Sequence, residues 1–579
     1  MSFGYHDSAA ALINNGTIVA AVQEERISRK KNDRSYPVNA IKFCLDEGGI
    51  SAKELDAVVY YEQPLLKFDR ILRSSIFRFP IAWSYLIETI RSWFADSKFN
   101  PLQLISEKLG VDITRVSAVL HHQSHAASSF FCSPFDESLI VTLDGVGEHE
   151  VGSISFGREN VINKLLSIKF PHSLGLVYSA FTAYLGFEVN EGEYKVMGMA
   201  GFGKPRFSEE ILKLFYLSED GGFRVNQKYF DFGTAVDVAY KQSLVDWLGP
   251  PREPEARFDV FSKEATIREH SVYYADIAAS LQKATEEVVL HVVSKGLKRT
   301  GQNNLCLAGG VALNSVANAK IKKEFGCNLF IQPSAGDAGG ALGAALHYYH
   351  KQSGAKRHQA LISPYLGPDV KSDDILRALD TSAIDDYEEF TTNDALIDYV
   401  SKRLSEGAVI GWMQGRCEWG PRALGNRSIL ANPSFPDMQE KVNVKIKFRE
   451  PFRPFAPSIL AEYASEYFDV CDDGNSSSPE NFMISVSKVH DSKRLTIPAV
   501  IHVDGSARVH LVRREVNLLY YQLIKNFYER TGVPLLLNTS FNGRGEPIVN
   551  SPTDALNNFL WNELDCLVMG KFLIEKERI

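Results

Sequence analysis

The chain lacks what a disulfide-built or zinc-finger protein would need. Its seven cysteines are an odd number, scattered without a CxxC pair or a Cys/His cluster, which fits a reducing compartment and excludes a stapled secreted scaffold. Cys417, beside a motif described below, reads as a small core residue. A long hydrophobic run is missing too. The most apolar stretch, Ile76 to Phe94, is interrupted by Arg78, Glu88 and Arg91 and reads as an aromatic-rich amphipathic helix pair rather than a membrane span. The start, Met1 to His6, has neither the basic nor the apolar region of a signal peptide. There is no excess of positive charge either: 63 Lys and Arg stand against 71 Asp and Glu, a net charge of −8. That gives no electrostatic reason for a nucleic-acid or membrane partner. The expectation is a cytoplasmic protein with no nucleic acid and no membrane among its partners.

What is present is an ordinary globular composition, 45% hydrophobic and 23% charged, in 579 residues, too many for one core. Ala9 to Ile13 and Thr17 to Val22 flank Asn14-Asn15-Gly16, a hairpin signal. A looser version follows: strand Ser138 to Leu143, turn Asp144 to Gly147, strand Val151 to Phe156. Both carry an Asp beside small residues at a strand boundary (Asp7, then Asp144), suggesting two similar lobes with acidic loops aimed at a common cleft; chance likeness of two hairpins is the alternative. Two strand–glycine–helix elements come later, Leu305 to Asn314 with Gly309-Gly310, and Ser334 to Gly343. Such elements place backbone N–H groups where phosphate can approach. The chain divides into residues 1–350, a Gly/Pro-containing linker over 351–390, and a new α/β segment over 391–579. Gly474 to Glu480 reads as a surface loop.

His121-His122-Gln123-Ser124-His125 precedes a run of small residues of helical character. His121 and His125, four apart, would project from one helix face, as a paired-histidine metal site requires. Asp144 and Asp337 could add oxygen ligands, and two imidazoles with two carboxylates suit iron, manganese or zinc. The plain alternative is that the two histidines cap or pack. A metalloprotease is excluded, because no glutamate follows the first histidine.

Lys441 to Pro454 holds five cations against one acid, a local reversal of sign in an acidic protein. Arg422 and Arg427 lie upstream; His502, Arg508 and Arg544 lie downstream. Arginine forks and lysine point charges are what phosphoryl oxygens require. Prolines and aromatics alternate with the cations, which fits a walled pocket better than a solvated face.

These stretches resemble one family, the antibiotic- and nodulation-type O-carbamoyltransferases. The resemblance runs through His6-Asp7-Ser8-Ala9-Ala10, Glu24 to Lys31, His121 to His125, Glu193 to Ala200, Gly309-Gly310-Val311-Ala312, Gly420 to Ser428, Lys447 to Pro457, His502 to Arg508 and Asn538-Thr539-Ser540-Phe541-Asn542. It implies an α/β protein with a two-lobed N-terminal domain of the actin/sugar-kinase/chaperone-ATPase type and a YrdC-like α/β C-terminal domain. The C-terminal domain would convert carbamoyl phosphate and ATP to carbamoyl-adenylate. The adenylate would then pass internally to the N-terminal domain, where a metal site and an acceptor pocket complete transfer to a hydroxyl and AMP leaves.

By position, the resemblance makes His121, His125, Asp144 and Asp337 the ligands of a divalent metal, Fe(II), with Mg(II) accompanying ATP. Lys31, Arg422, Lys447, Arg453, Arg508, Asn538, Ser540 and Arg544 would bind carbamoyl phosphate and ATP. Lys195, Gly309, Gly310 and Asn314 would form the nucleotide loop of the N-terminal domain, and His6 would be the base near the acceptor hydroxyl. The acceptor would be a small molecule, a secondary metabolite or sugar-like compound. Residues 63–105 would line its pocket or form a homodimer interface. One departure is that only Met1 to Tyr5 precede the His-Asp motif, where the family has a full strand.

The chemistry agrees. Nitrogen donates into the carbamate carbonyl, so a good leaving group is needed, and adenylation supplies AMP. A hydroxyl acceptor needs a base titrating near neutrality, as histidine does. Two other readings are a fused threonylcarbamoyl-type tRNA-modifying enzyme, which the acidic total disfavours, and a chaperone-like nucleotide switch, which requires neither the histidine pair nor the basic pocket.

Overall fold

The computed structural model describes residues 1–579 except 81, 96–97, 233–238, 255, 356, 358–359, 451–452, 471–477 and 579. Of the stretches singled out above, Ile81 of the helix pair, residues 356 and 358–359 of the expected linker, Pro451 and Phe452 of the basic run and residues 474–477 of the Ser-rich loop lie outside the described residues.

The first hairpin forms as its sequence dictates. Strands Ala9–Asn14 (β1) and Thr17–Gln23 (β2) are joined by Asn15 and Gly16, both at positive φ, 49° and 81°, the backbone that a two-residue hairpin turn needs. They form a two-stranded sheet of their own. The second hairpin is built into a five-stranded sheet.

Contacts divide the chain into two units. One is Met1–Gly4, Ile13–Thr17 and Gly49–Ala360; the other is Tyr5–Leu12, Ile18–Gly48 and Leu361–Ile579. Residues 5–12 and 18–48 therefore group with the C-terminal residues rather than with the rest of 1–350. Two arginines tie the second of these stretches to the C-terminal residues. Buried Arg26 donates to the carbonyl of Gly420, and Arg29 to the carbonyls of Pro547 and Ile548 with an ion pair to Asp554 at 3.3 Å. The stretch expected as linker is structured in part, with a helix over Ser372–Thr381 and a short strand at Glu388–Glu389.

In the first unit, Val58–Tyr60 (β3) and Val116–Ala118 (β4) pair in parallel. Glu137–Leu143 (β5), Glu150–Arg158 (β6) and Val161–Lys169 (β7) form an antiparallel meander. Phe215–Leu217 (β8) and Phe223–Val225 (β9) make a small ribbon. Asn304–Ala308 (β10) and Asn328–Ile331 (β11) extend the meander in parallel, giving the order β11-β10-β5-β6-β7. The apolar residues of β5 and β10 are fully buried, as expected of a sheet covered on both faces. Helices His121–Phe130 and Asp337–Ser353 pack against each other. The expected helix pair is there, Pro64–Phe77 and Trp83–Ala95, with a small core of Ile71, Leu86 and Trp93 and with Phe77, Phe79 and Trp83 exposed. Among the described residues no helix is long and apolar enough to cross a membrane.

The second unit is built on eight strands: Glu388–Glu389 (β12), Ile410–Met413 (β13), Arg427–Ala431 (β14), Ala456–Leu460 (β15), His510–Val512 (β18), Leu535–Ser540 (β19), Cys566–Met569 (β20) and Phe572–Glu575 (β21), in the order β12-β21-β20-β13-β14-β19-β15-β18. Ser487–Lys488 (β16) and Ser506–Ala507 (β17) pair separately. The sheet is mixed, β13/β20 and β15/β18 being its parallel pairs. Cys417 is buried in this unit and its thiol is pushed up by that burial, as a core residue's would be.

The helix pair carrying the histidines and Asp337 is held close by glycine. A Cβ on Gly343 would lie 1.9 Å from the carbonyl oxygen of Ser124 and 2.8 Å from Cβ of Ser128. Backbone cannot yield as a flexible side chain does, so Gly343→Ala is expected to destabilise the protein by about 3 kcal/mol, the upper end of overpacking costs. Denaturant unfolding measures this; an unchanged midpoint would show that the two helices separate freely.

Candidate metal centre and cation pocket

Three neighbouring parallel strands, β5, β10 and β11, bring their carboxyl ends to one edge, where open α/β sheets place ligands. Asp144 follows β5, Gly309 and Gly310 follow β10, and Asp337 begins the helix after β11. Gly309 sits at φ 91°, and a Cβ there would meet the carbonyl oxygen of Leu143 at 2.2 Å. Only glycine allows this chain crossing, which delivers the N–H of Gly310 to Oδ1 of Asp144 at 2.7 Å.

His121 and His125 project from one face of their helix onto the same point. Nε2 of His121 lies 3.0 Å from Oδ2 of Asp144 and 3.1 Å from Nε2 of His125, which is 3.4 Å from Oδ1 of Asp337. All four side chains are buried or nearly so, and their candidate ligand atoms lie within 4.8 Å of one another. Metal–ligand bonds of about 2.0–2.2 Å put neighbouring donors about 3–3.5 Å apart, so the spacing fits one divalent ion. The N2O2 donor set suits a metal of borderline hardness. The electrostatics point the same way. Burial alone would lower His125, but its hydrogen bonds to the carboxylates of Asp144 and Asp337 outweigh it and hold the imidazolium up to about 9. Asp144 goes well below the usual carboxylate range, its burial outweighed by both histidines. The two acids thus draw positive charge onto this point, by protonation or by a cation. His122 is a bystander: its Nδ1 is 2.7 Å from Oγ1 of Thr142, and burial, then His121 and His125, push it well below its ordinary value.

The other residues of the expected nucleotide loop lie in the same unit. Asn314 caps the helix Ser315–Phe325, accepting from the N–H of Ala317, and exchanges two hydrogen bonds with Gln282. Lys195 extends its Nζ over the Phe187 ring, 5.7 Å from the centroid.

In the second unit Lys447, Arg449 and Arg453 of the basic run lie near one another, whereas Lys441 and Lys445 pair with Asp565 at 3.1 Å and Glu563 at 3.4 Å. Burial, then Arg422, Arg449 and Arg453, push the Arg508 guanidinium well below its ordinary value. Arginine keeps its proton in proteins, so that charge sits unfavourably among its neighbours. Nε of Arg508 is buried and meets no acceptor among the described residues. His502, driven down to about 4 by burial and then by Arg508 against Asp504, borders the same cluster. Arg453 has an ion pair to Glu450 at 3.7 Å, and Arg449 donates to Oδ1 of Asn443 at 2.6 Å while lying over the Phe455 ring.

Lys447 behaves differently from the sequence expectation. Its buried ammonium donates to the carbonyls of Ser540 and Asn542, each at 2.7 Å, and to Oδ1 of Asn542 at 2.5 Å, which uses its three protons. Burial, then Arg449 and Arg453, push it well below its ordinary value. It ties down the loop after β19 beside the arginines. Asn538 is inside the sheet, its amide donating to the carbonyl of Ala423 and to Ser458. Arg544 is exposed on the turn beyond. Lys31 pairs with Glu25 at 3.4 Å. Nδ1 of His6 is 3.0 Å from Oδ2 of Asp7, in the second unit.

Sequence reading passed over Arg449 as a site residue, although it lies in the basic run, and Asn542, whose signal was its place two residues past Ser540. It also missed Glu148, described below, which carried no signal beyond following Asp144 closely.

The chain matches two family models: one described as Carbamoyltransferase N-terminus over residues 1–346, the other as Carbamoyltransferase C-terminus over residues 401–576. A Synechocystis sp. protein named sll1178 is 42% identical over 99% of this chain and 95% of its own length. Nodulation protein NolNO of Sinorhizobium fredii is 37% identical over 99% and 79%, and nodulation protein NolO of Bradyrhizobium diazoefficiens is 39% identical over 79% and 78%. Among solved structures, T. kodakarensis HypF overlaps 61% of this chain and 48% of its own, at a TM-score of 0.33 and 15% identity.

Two outcomes follow from this geometry. His125→Ala is expected to reduce bound iron, manganese or zinc to background by elemental analysis; full occupancy in the variant would show that the cluster only packs. Lys447→Ala is expected to destabilise the fold by about 1.5–3 kcal/mol, since it strands buried oxygens, whereas Arg453→Ala leaves the unfolding midpoint within a degree or two. Equal midpoints for the two variants would return Lys447 to the pocket wall.

Proposed function

The chain belongs to the carbamoyltransferase family and is a carbamoyltransferase; from that premise we propose that it is ATP-dependent and carbamoylates a hydroxyl of a small molecule by way of carbamoyl-adenylate. The observation that carries this reading is the grouping of Arg422, Arg449 and Arg453 around buried Arg508 in the second unit, with Nε of Arg508 meeting no acceptor among the described residues. One phosphoryl group is enough to balance two cations; four arginines call for a polyanionic site, as carbamoyl phosphate with ATP would supply.

The first half-reaction belongs to that pocket. Water cleaves carbamoyl phosphate to carbamate and phosphate. A carbamate oxygen then attacks the α-phosphorus of ATP, giving carbamoyl-adenylate and pyrophosphate. The guanidinium groups hold the phosphoryl oxygens and stabilise charge as the P–O bonds break. Ser540 and Asn542, fixed by Lys447, shape the loop beside them, and Mg(II) travels with ATP.

In the second half-reaction the acceptor oxygen bonds to the carbamoyl carbon, AMP leaves, and the hydroxyl proton goes to a base. His6 is the proposed base. With Asp7 accepting from Nδ1–H, Nε2 carries the lone pair. Transfer is assigned to the region matched by the N-terminal family model, residues 1–346, which holds His6 as well as His121, His125, Asp144 and Asp337. A divalent metal bound there, Fe(II) in this proposal, would supply Lewis-acid polarisation of the carbonyl. Gly310 N–H orients Asp144, and the Gly309-Gly310 loop with Asn314 and Lys195 is proposed to receive the adenylate.

The halves can be assayed apart. With carbamoyl phosphate and ATP, the wild type is expected to release pyrophosphate. Arg508→Ala is expected to abolish that release, while His6→Asn keeps it and fails to carbamoylate any acceptor in a panel of hydroxylated metabolites. Wild-type transfer without ATP would contradict the adenylate. A His6→Asn enzyme that transfers normally would move the base elsewhere.

A further inference from the structure

We propose that Glu148 is a positioning residue for the metal cluster, and that one of its carboxylate oxygens joins the histidine-bearing helix to the 64–95 helix pair. The inference rests on the metal reading of His121, His125, Asp144 and Asp337.

Strands β3 and β4 run in parallel with Tyr60 opposite Ala118, and the N–H of Val119 donates to the carbonyl of Tyr60 at 3.0 Å. Each chain goes three residues further and opens a helix. Gln63 is the N-cap of Pro64–Phe77, and His121 is the first residue of His121–Phe130. The first N–H groups of a helix have no acceptor within it. Neither Gln63 nor Leu120, the two cap residues, supplies one from its side chain. Oε1 of Glu148 accepts from both: from the N–H of Gln63 at 2.7 Å and of His121 at 2.9 Å. Glu148 is 4% exposed. A carboxylate leaves water at a large cost unless it is bonded, and two charge-assisted bonds at two positive helix ends offset that cost.

The same turn grips His121 in two more ways. A Cβ on Gly147 would lie 2.9 Å from Cβ and Cδ2 of His121, so only glycine lets the turn lie against the ring. Asp144 takes Nε2. Across residues 144–148 the chain thus holds the backbone N–H, a ring face and the ligand nitrogen of one histidine. His121 is in the first turn, where helices fray, so without its cap a metal ligand would swing. Because the same oxygen holds the start of the 64–77 helix, a displacement of that helix weakens the hold on His121. By linkage, metal binding orders the helix start.

The test uses the full chain and Zn(II) as the probe, with affinity measured by competition against a chromophoric chelator. Amide exchange is followed at Gln63 and His121. Glu148→Ala is expected to bind Zn(II) about tenfold more weakly, as loss of an outer-shell partner does, and to lose protection at both amides. Glu148→Gln keeps an oxygen acceptor without the charge, so protection is expected to return at both amides and the Zn(II) affinity to fall severalfold, less than in the alanine variant. A merely structural role would lower the melting temperature of both variants and leave the Zn(II) affinity of the folded protein unchanged; that result overturns the proposal. So does a Glu148→Ala protein that loses protection at His121 alone. Should the alanine variant fail to fold, the glutamine variant carries the test, with a severalfold loss expected from the missing charge and an affinity equal to wild type overturning it. A wild-type chain that binds no Zn(II) overturns the metal reading itself, and this inference with it.

Discussion

Like charges gathered in a dry place are the constraint that shapes the second unit. Arg508 is surrounded by Arg422, Arg449 and Arg453, and each burdens the others. Such an arrangement is unfavourable in the free protein and persists because the scaffold over-determines it. Asn443 and Phe455 hold Arg449, Glu450 holds Arg453, and Lys447 gives all its protons to the loop beside them. In the proposed reading phosphoryl oxygens would relieve that repulsion, and an anion would bind more tightly for the site having been built unfavourably. Functional sites commonly hold such locally destabilising features that the rest of the fold offsets.

The first unit solves the opposite problem. Asp144 and Asp337 concentrate negative charge beside two imidazoles, a grouping that could hold a metal ion. What makes the point sharp is the backbone. Gly309 lets β10 cross against Leu143, Gly343 lets the two helices approach, and Gly147 lets the turn lie on His121. Three missing side chains fix the positions of four candidate ligands.

Much of this was legible in the sequence where the signal is local. The Asn15-Gly16 turn, the second hairpin, the helix under His121 and the aromatic helix pair all follow from short patterns, and the i, i+4 histidines meet as helical geometry requires. Long-range effects were not legible. Nothing in Arg26 or Arg29 announces that their partners are Gly420, Pro547 and Ile548, hundreds of residues away, and those bonds move residues 18–48 into the second unit. A cation in a basic run shows its charge and not its direction, so Lys447 read as a phosphate ligand although its protons point into the protein. Asn538 lies in a specific motif yet spends its amide inside the sheet. Glu148 acts through backbone N–H groups, which every residue has and no sequence displays.

The account stands on the cation pocket, and anion-dependent stability tests it most directly. Thermal unfolding of the full chain is measured in equal ionic strength of chloride, inorganic phosphate, pyrophosphate and carbamoyl phosphate. The account predicts that the three phosphoryl anions raise the midpoint in a saturable, concentration-dependent way, by the mass-action law for a ligand that binds only the folded state, and that Arg508→Ala removes the effect. Midpoints that track ionic strength alone, with chloride and carbamoyl phosphate equivalent, would contradict it.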